Sequence, residues 1–176
     1  LLKDHSLDIA PFGYGTVGIG FALSISEHGD LLDVFPLFEQ VQRGKKTVEV
    51  ARPMVVPASA KRTVNVAPNF LWDNAAYVLG ISDRDDTKPQ YSQERFSAFR
   101  QLHTDILPHV NSDAARALLA FLERYDPSCG RGDPHIAANL DGLLKGSNIV
   151  FLFGNTYVHE DALIRQAWAD YMSQQD

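Results

Sequence analysis

From Val17 to Ile25 the bulky residues Val17, Ile19, Phe21, Leu23 and Ile25 alternate with Gly18, Gly20, Ala22 and Ser24. A period of two with one large and one small face predicts a strand. The turn chemistry of "SEHGD" and a second apolar run, "LLDVFPLF", make Thr16 to Phe38 a predicted hairpin, with Pro36 near its end or on an edge. "QVQRGKKTVEV", Gln40 to Val50, reads as a polar loop entering a short strand, and "RPMVVPAS" as an extended piece between prolines.

Beyond Pro68 the spacing turns helical. Asn69 is the expected N-cap of a first helix, with Asp73 in its first turn and Gly80 as its stop. Phe96, Phe99, Leu102 or His103, and Ile106 recur at helical spacing before Pro108, and a second helix from Ser112 or Asp113 to Pro127 completes a predicted helical hairpin. A short helix around Ile136 to Leu144, the strand "NIVFLF" and a closing helix from about His159 follow. On that last helix Leu163, Ile164, Ala167, Trp168 and Tyr171 are expected to share one face. The predicted class is α+β: a small antiparallel or mixed sheet, built from the N-terminal hairpin plus short strands, flanked by several helices. Residues 14–66 are the strand-rich part and 68–176 the helix-rich part.

With 176 residues, 45% of them hydrophobic, the chain can bury a core without staples. The single cysteine, Cys129, excludes an internal disulfide framework and fits a reducing compartment, so a cytoplasmic location is expected. Asp4 and Asp8 interrupt what would be a signal peptide's apolar stretch, and no apolar run approaches the ~18 residues of a membrane span.

Charge is unevenly distributed. Between Val41 and Asn65 stand Arg43, Lys45, Lys46, Arg52, Lys61 and Arg62 against Glu49 alone, a local +5; since the whole chain carries −6, the remainder sums to −11. A cationic strip on an acidic body can hold a polyanion because phosphate contacts are local. A solvated basic loop is the competing reading.

Enzyme signals fail on context. "GYGTVG", Gly13 to Gly18, has the dinucleotide-fingerprint spacing, but a strand follows it where a helix is required. The six histidines include no i, i+4 pair, Cys129 has no partner ligand, and Asp83, Asp85 and Asp86 read as a solvated turn rather than a magnesium site. No G-x-S-x-G occurs. No metal, cofactor or catalytic residue is therefore expected.

"KRTVNVAPNFLWDNAAYVLG", Lys61 to Gly80, is different in kind. It delivers Lys61, Arg62 and Thr63 onto a predicted helix start bearing Asn69 and Asn74. Cations hold phosphates and asparagine amides read base edges, adenine especially. With Arg43, Lys45, Lys46 and Arg52 these are the candidate DNA-binding residues.

The run "RT...PNFLWDNAAYVLG" resembles the signature near the N-terminus of the large subunit of the type I-C CRISPR surveillance complex, Cascade, in the Csd family. The lead "PFGYG", the turn "EHGD", the stretch "RPMVVPASAKRT" and the late "YVHEDALIRQAWADYM" stand in the same family order. Packing of Phe70, Leu71, Tyr77 and Leu79 accounts for part of that signature. Family members are several times longer, so residues 1–176 resemble a single N-terminal domain of a longer subunit.

The resemblance implies a non-enzymatic role in antiviral defence: reading the protospacer-adjacent motif in double-stranded target DNA and assisting R-loop formation. Implied partners are that DNA, the 5′-handle-binding and backbone Cascade subunits with their guide RNA, the recruited helicase-nuclease and phage anti-CRISPR inhibitors; no membrane is implied. The alternative is a scaffold whose basic strip docks a neighbouring subunit or the guide RNA, with DNA read by other regions.

Overall fold

The alternating run from Val17 to Ile25 is divided at Gly20 between two sheets. In the computed structural model, which describes residues 10–62 and 65–175, β1 is Tyr14–Ile19 and β2 is Phe21–Ile25. A Cβ on Gly20 would come within 2.8 Å of both Phe38 Cζ and Ser147 Cβ. The backbone is pinned there by Gly20 N–H donating to the Asn148 carbonyl and Leu37 N–H to the Gly20 carbonyl, at 2.9 and 2.8 Å. Two continuous halves of one sequence pattern therefore serve different layers.

The central sheet has four strands in the order β3 (Leu31–Pro36), β2, β7 (Ile149–Phe153), β8 (Thr156–Tyr157). β2 and β7 are parallel and the other pairs antiparallel, so the sheet is mixed. Pro36 ends the edge strand, where a missing N–H costs no ladder bond. Strand alternation sorts the side chains into two cores. Phe21, Leu23, Ile25, Ile149 and Phe151 face the helices, whereas Ala22 and Val150 face a smaller core with Ile19, Leu37, Val56 and Trp72.

The helical layer consists of α1 (Ala75–Val78), α2 (Pro89–Ile106), α3 (Asp113–Arg124), two one-turn pieces α4 (Pro134–Ala137) and α5 (Leu140–Leu144), and α6 (Ala162–Gln174). α2 and α3 form the expected hairpin, and Phe99 and Phe121 both pack on Phe151 of β7. Ser112 caps α3 by accepting from Ala115 N–H at 3.2 Å and donates its own hydroxyl to Asp161, the cap of α6, at 2.9 Å. One bridge thus fixes two helix starts.

On the far side, β1 pairs antiparallel with β6 (Arg52–Pro57), which brings Val56 opposite Gly15 and Met54 opposite Val17 over the smaller core. The result is an α+β arrangement: helices, mixed sheet, two-stranded ribbon. Among the described residues no helix is long and apolar enough to cross a membrane, and no histidine, cysteine or carboxylate cluster could hold a metal.

Four expectations are corrected. Residues 39–50 are a hairpin, β4 (Glu39–Arg43) with β5 (Lys46–Val50), rather than a polar loop entering the expected short strand; only Val41, Val48 and Val50 are half-buried, too short an apolar pattern to mark β4 in the sequence. The first helix starts at Ala75 rather than at Asn69, because residues 69–73 form a buried loop held by tertiary bonds. The segment at 136–144 is two separate turns. Leu163 lies off the inner face of α6, 54% exposed, leaving Ile164 and Trp168 as its buried contacts.

Candidate nucleic-acid interface

The β4–β5 hairpin concentrates charge at its tip. Gly44 takes a left-handed φ of 62° between Arg43 and Lys45, which lets Arg43 sit directly opposite Lys46 in the ladder. Register then assigns the faces. Arg43 and Lys46 share one with Val41 and Val48, while Gln40, Gln42, Thr47 and Glu49 share the other. The polar face is internally bonded: Thr47 Oγ1 donates to Gln42 Oε1 at 2.9 Å, and Gln42 Nε2 to the Gly44 carbonyl at 3.1 Å. At the hairpin base Arg52, also a candidate contact, is engaged by Glu39 at 3.3 Å. Among the described residues Arg43, Lys45, Lys46 and Lys61 form no ion pair. All four are exposed.

The 60–74 segment is organised around one buried acid. Asp73, 1% exposed, pairs with the Arg62 guanidinium and accepts from the backbone N–H of Asn69 and of Asn74, each at 2.9 Å. Arg62 Nε donates to the Ala67 carbonyl at 2.8 Å, and its guanidinium carbon lies 4.2 Å from the Tyr77 ring centroid. Burial raises the Asp73 carboxyl above its ordinary value, opposed first by the hydrogen bond from Arg62. Arg62 is thus an ion-pair partner, contrary to the expectation of a free phosphate contact.

Asn74 takes the capping role expected of Asn69. Asn69 is not a cap: it is 3% exposed, and its Oδ1 accepts from Ala60 N–H at 2.8 Å, tying down the basic segment. Asn74 is the cap, its Oδ1 accepting from Tyr77 N–H at 3.4 Å. Between them Phe70 stacks between His103 and Trp168, with centroids 5.0 and 4.8 Å away. Leu71 adopts a φ of 71°, rare for a branched side chain, and its N–H donates to His103 Nε2 at 2.8 Å. Trp72 Nε1 donates to the Pro57 carbonyl at 2.7 Å. Phe70, Leu71, Tyr77 and Leu79 are all buried. The "NFLWDN" block therefore binds helices, central sheet and ribbon to one another. A buried Asn69 cannot share an exposed face with the hairpin cations. Thr63 lies outside the described residues.

Sequence reasoning missed a stack of cations and rings beside this block. Arg84 and Arg95 lie 4.4 and 3.6 Å from the Tyr91 ring centroid, and Arg95 also lies 5.9 Å from that of Tyr77. Tyr91 and Arg95 stand four apart on α2, a spacing that does bring side chains together and was the available signal.

Residues 1–176, the whole chain, match the family model described as CRISPR-associated protein (Cas_Csd1). No curated protein matches the chain.

Proposed function

The chain belongs to the Cas_Csd1 family of CRISPR-associated Cascade subunits, and from that premise we propose that it is a non-enzymatic DNA-recognition part of the type I-C large subunit. It reads the protospacer-adjacent motif in target duplex and assists R-loop opening. The observation that carries this reading is the β4–β5 tip, where Arg43, Lys45 and Lys46 stand exposed and, among the described residues, without an ion-pair partner, on a ribbon that buries little of itself. An isolated two-stranded hairpin is marginal in water, so a partner that neutralises its tip also stabilises it. A two-stranded ribbon also fits the major groove of B-form DNA. Lys61 adds a further exposed cation. Arg52, held by Glu39, orients the hairpin base. The buried Asn69 supports the basic segment through Ala60, whereas Asn74 keeps its amide protons after capping.

The test is the variant Arg43→Ala/Lys45→Ala/Lys46→Ala within the assembled effector complex. Binding to target duplex is expected to fall at least about tenfold at moderate salt while guide-RNA content and subunit stoichiometry stay unchanged. Loss of guide RNA or of a neighbouring subunit, with duplex affinity per intact complex retained, would instead support the scaffold reading.

A further inference from the structure

The Arg–Tyr stack is not used by the hairpin. Arg62, Tyr77, Arg95, Tyr91 and Arg84 form one continuous series of guanidinium-over-ring contacts from the 60–74 segment to the start of α2. Because both guanidinium carbons contact the Tyr91 ring, at 4.4 and 3.6 Å from its centroid, Arg84 and Arg95 lie within 8 Å of each other. Arg95 is fixed further by donating to the Tyr91 carbonyl at 3.0 Å. Among the described residues neither arginine has a carboxylate partner. Asp85, adjacent to Arg84, is taken by Arg131 and Ser92.

Beside the stack lies a cleft of about 230 Å³ whose lining includes Asn74, Arg84, Tyr91 and Lys145, with Asp83 as its one carboxylate. The Asn74 cap uses only Oδ1, so the Nδ2 protons remain for an occupant. An arginine held over an aromatic ring keeps N–H groups free for further acceptors, and a guanidinium can take phosphate oxygens in pairs. Stacking also fixes the rotamer beforehand, which lowers the ordering cost of binding. The cleft is smaller than an ordinary small-ligand pocket and far too narrow for a duplex.

We propose that this cleft is a subsite for the phosphodiester backbone of a single nucleic-acid strand, contacted by Arg84, Lys145 and Asn74 Nδ2, with Arg95 as the positioning residue behind Tyr91. Guanidiniums already lie over the tyrosine rings, so the strand is held by its phosphates and without base preference. The inference rests on the nucleic-acid-binding reading above but uses cations other than those of the hairpin, and it assigns the Asn74 amide to the cleft.

The experiment compares Arg84→Gln/Lys145→Gln with the hairpin-tip variant, both in the assembled effector complex, against an oligothymidylate probe and a target duplex across a salt series. The cleft variant is expected to weaken oligothymidylate binding about fivefold and to lower its salt slope by about 1.4, that is ~0.7 for each of two phosphates no longer neutralised, with an unchanged unfolding midpoint. The hairpin variant is expected to spare that probe and lose the duplex. If the cleft variant binds oligothymidylate as the parent does while the hairpin variant loses duplex, the cleft proposal is overturned and the hairpin reading stands. If the duplex is unaffected by the hairpin variant, that reading fails, whatever the cleft does. Equal competition by polyglutamate at matched charge would overturn a nucleic-acid occupant in favour of an acidic protein.

Discussion

Arg62 and Asp73 close an ion pair in which the carboxylate is 1% exposed and the guanidinium side chain 33% exposed. Removing the cation strands a buried charge. The variant Arg62→Ala is expected to cost about 3 kcal/mol of unfolding free energy, and Asp73→Asn combined with it to recover part of that loss. Denaturant unfolding of the single and double variants measures this. A variant that loses DNA binding with its unfolding free energy unchanged would return Arg62 to the role of a direct phosphate ligand.

Asn69 and Asn74 are expected to separate cleanly. Asn69→Ala leaves the Ala60 N–H without its acceptor and should cost about 1–3 kcal/mol. Asn74→Ala loses a cap and should cost about 1 kcal/mol, most of which Asn74→Asp should restore. Equal losses in all three variants would contradict these assignments.

Acid should unfold the domain through two buried histidines. Burial lowers both His103 and His159 to about 4, and His103 Nε2 cannot be protonated without breaking its bond from Leu71 N–H. Because the unfolded chain binds protons more readily, stability is complete above the ordinary histidine value of about 6.5 and falls as pH drops from there toward 4. Each histidine contributes on the order of 3 kcal/mol across that window. Unfolding free energy that is flat between those limits would refute the assignment.

Gly20 admits no side chain. Gly20→Ala places a methyl carbon against Phe38 and Ser147 and is expected to destabilise by about 1–3 kcal/mol, read from thermal unfolding. An unchanged midpoint would mean that the junction between the two sheets is slack.

What the chain discloses before folding follows the range of the forces involved. β7, the α2–α3 hairpin and the Ser112 cap were legible because each is written in consecutive residues. The break at Gly20 was not, since the alternation runs through it and the backbone there is pinned by hydrogen bonds to the distant Asn148 and to Leu37. The β4–β5 hairpin was hidden by having almost no buried face. At the candidate site, the concentration of cations between Arg43 and Arg62 was visible in the charge pattern. Their fates were not: which of Asn69 and Asn74 caps depends on where α1 begins, and that is set by bonds from Asp73 to Ile149 and from Leu71 to His103. The stack at Tyr91 depended on Arg84 folding back onto α2.

Under the proposed function, the hairpin tip holds the phosphates of target duplex. The most direct measurement is the slope of log affinity against log salt for effector complexes carrying Arg43→Ala, Lys45→Ala and Lys46→Ala singly and together. If the tip holds the duplex, the slope should shrink by about 0.9 for each phosphate that a removed cation had neutralised, close to 2.7 for the triple variant. A slope identical to the parent's in the triple variant, with the complex intact, would contradict it.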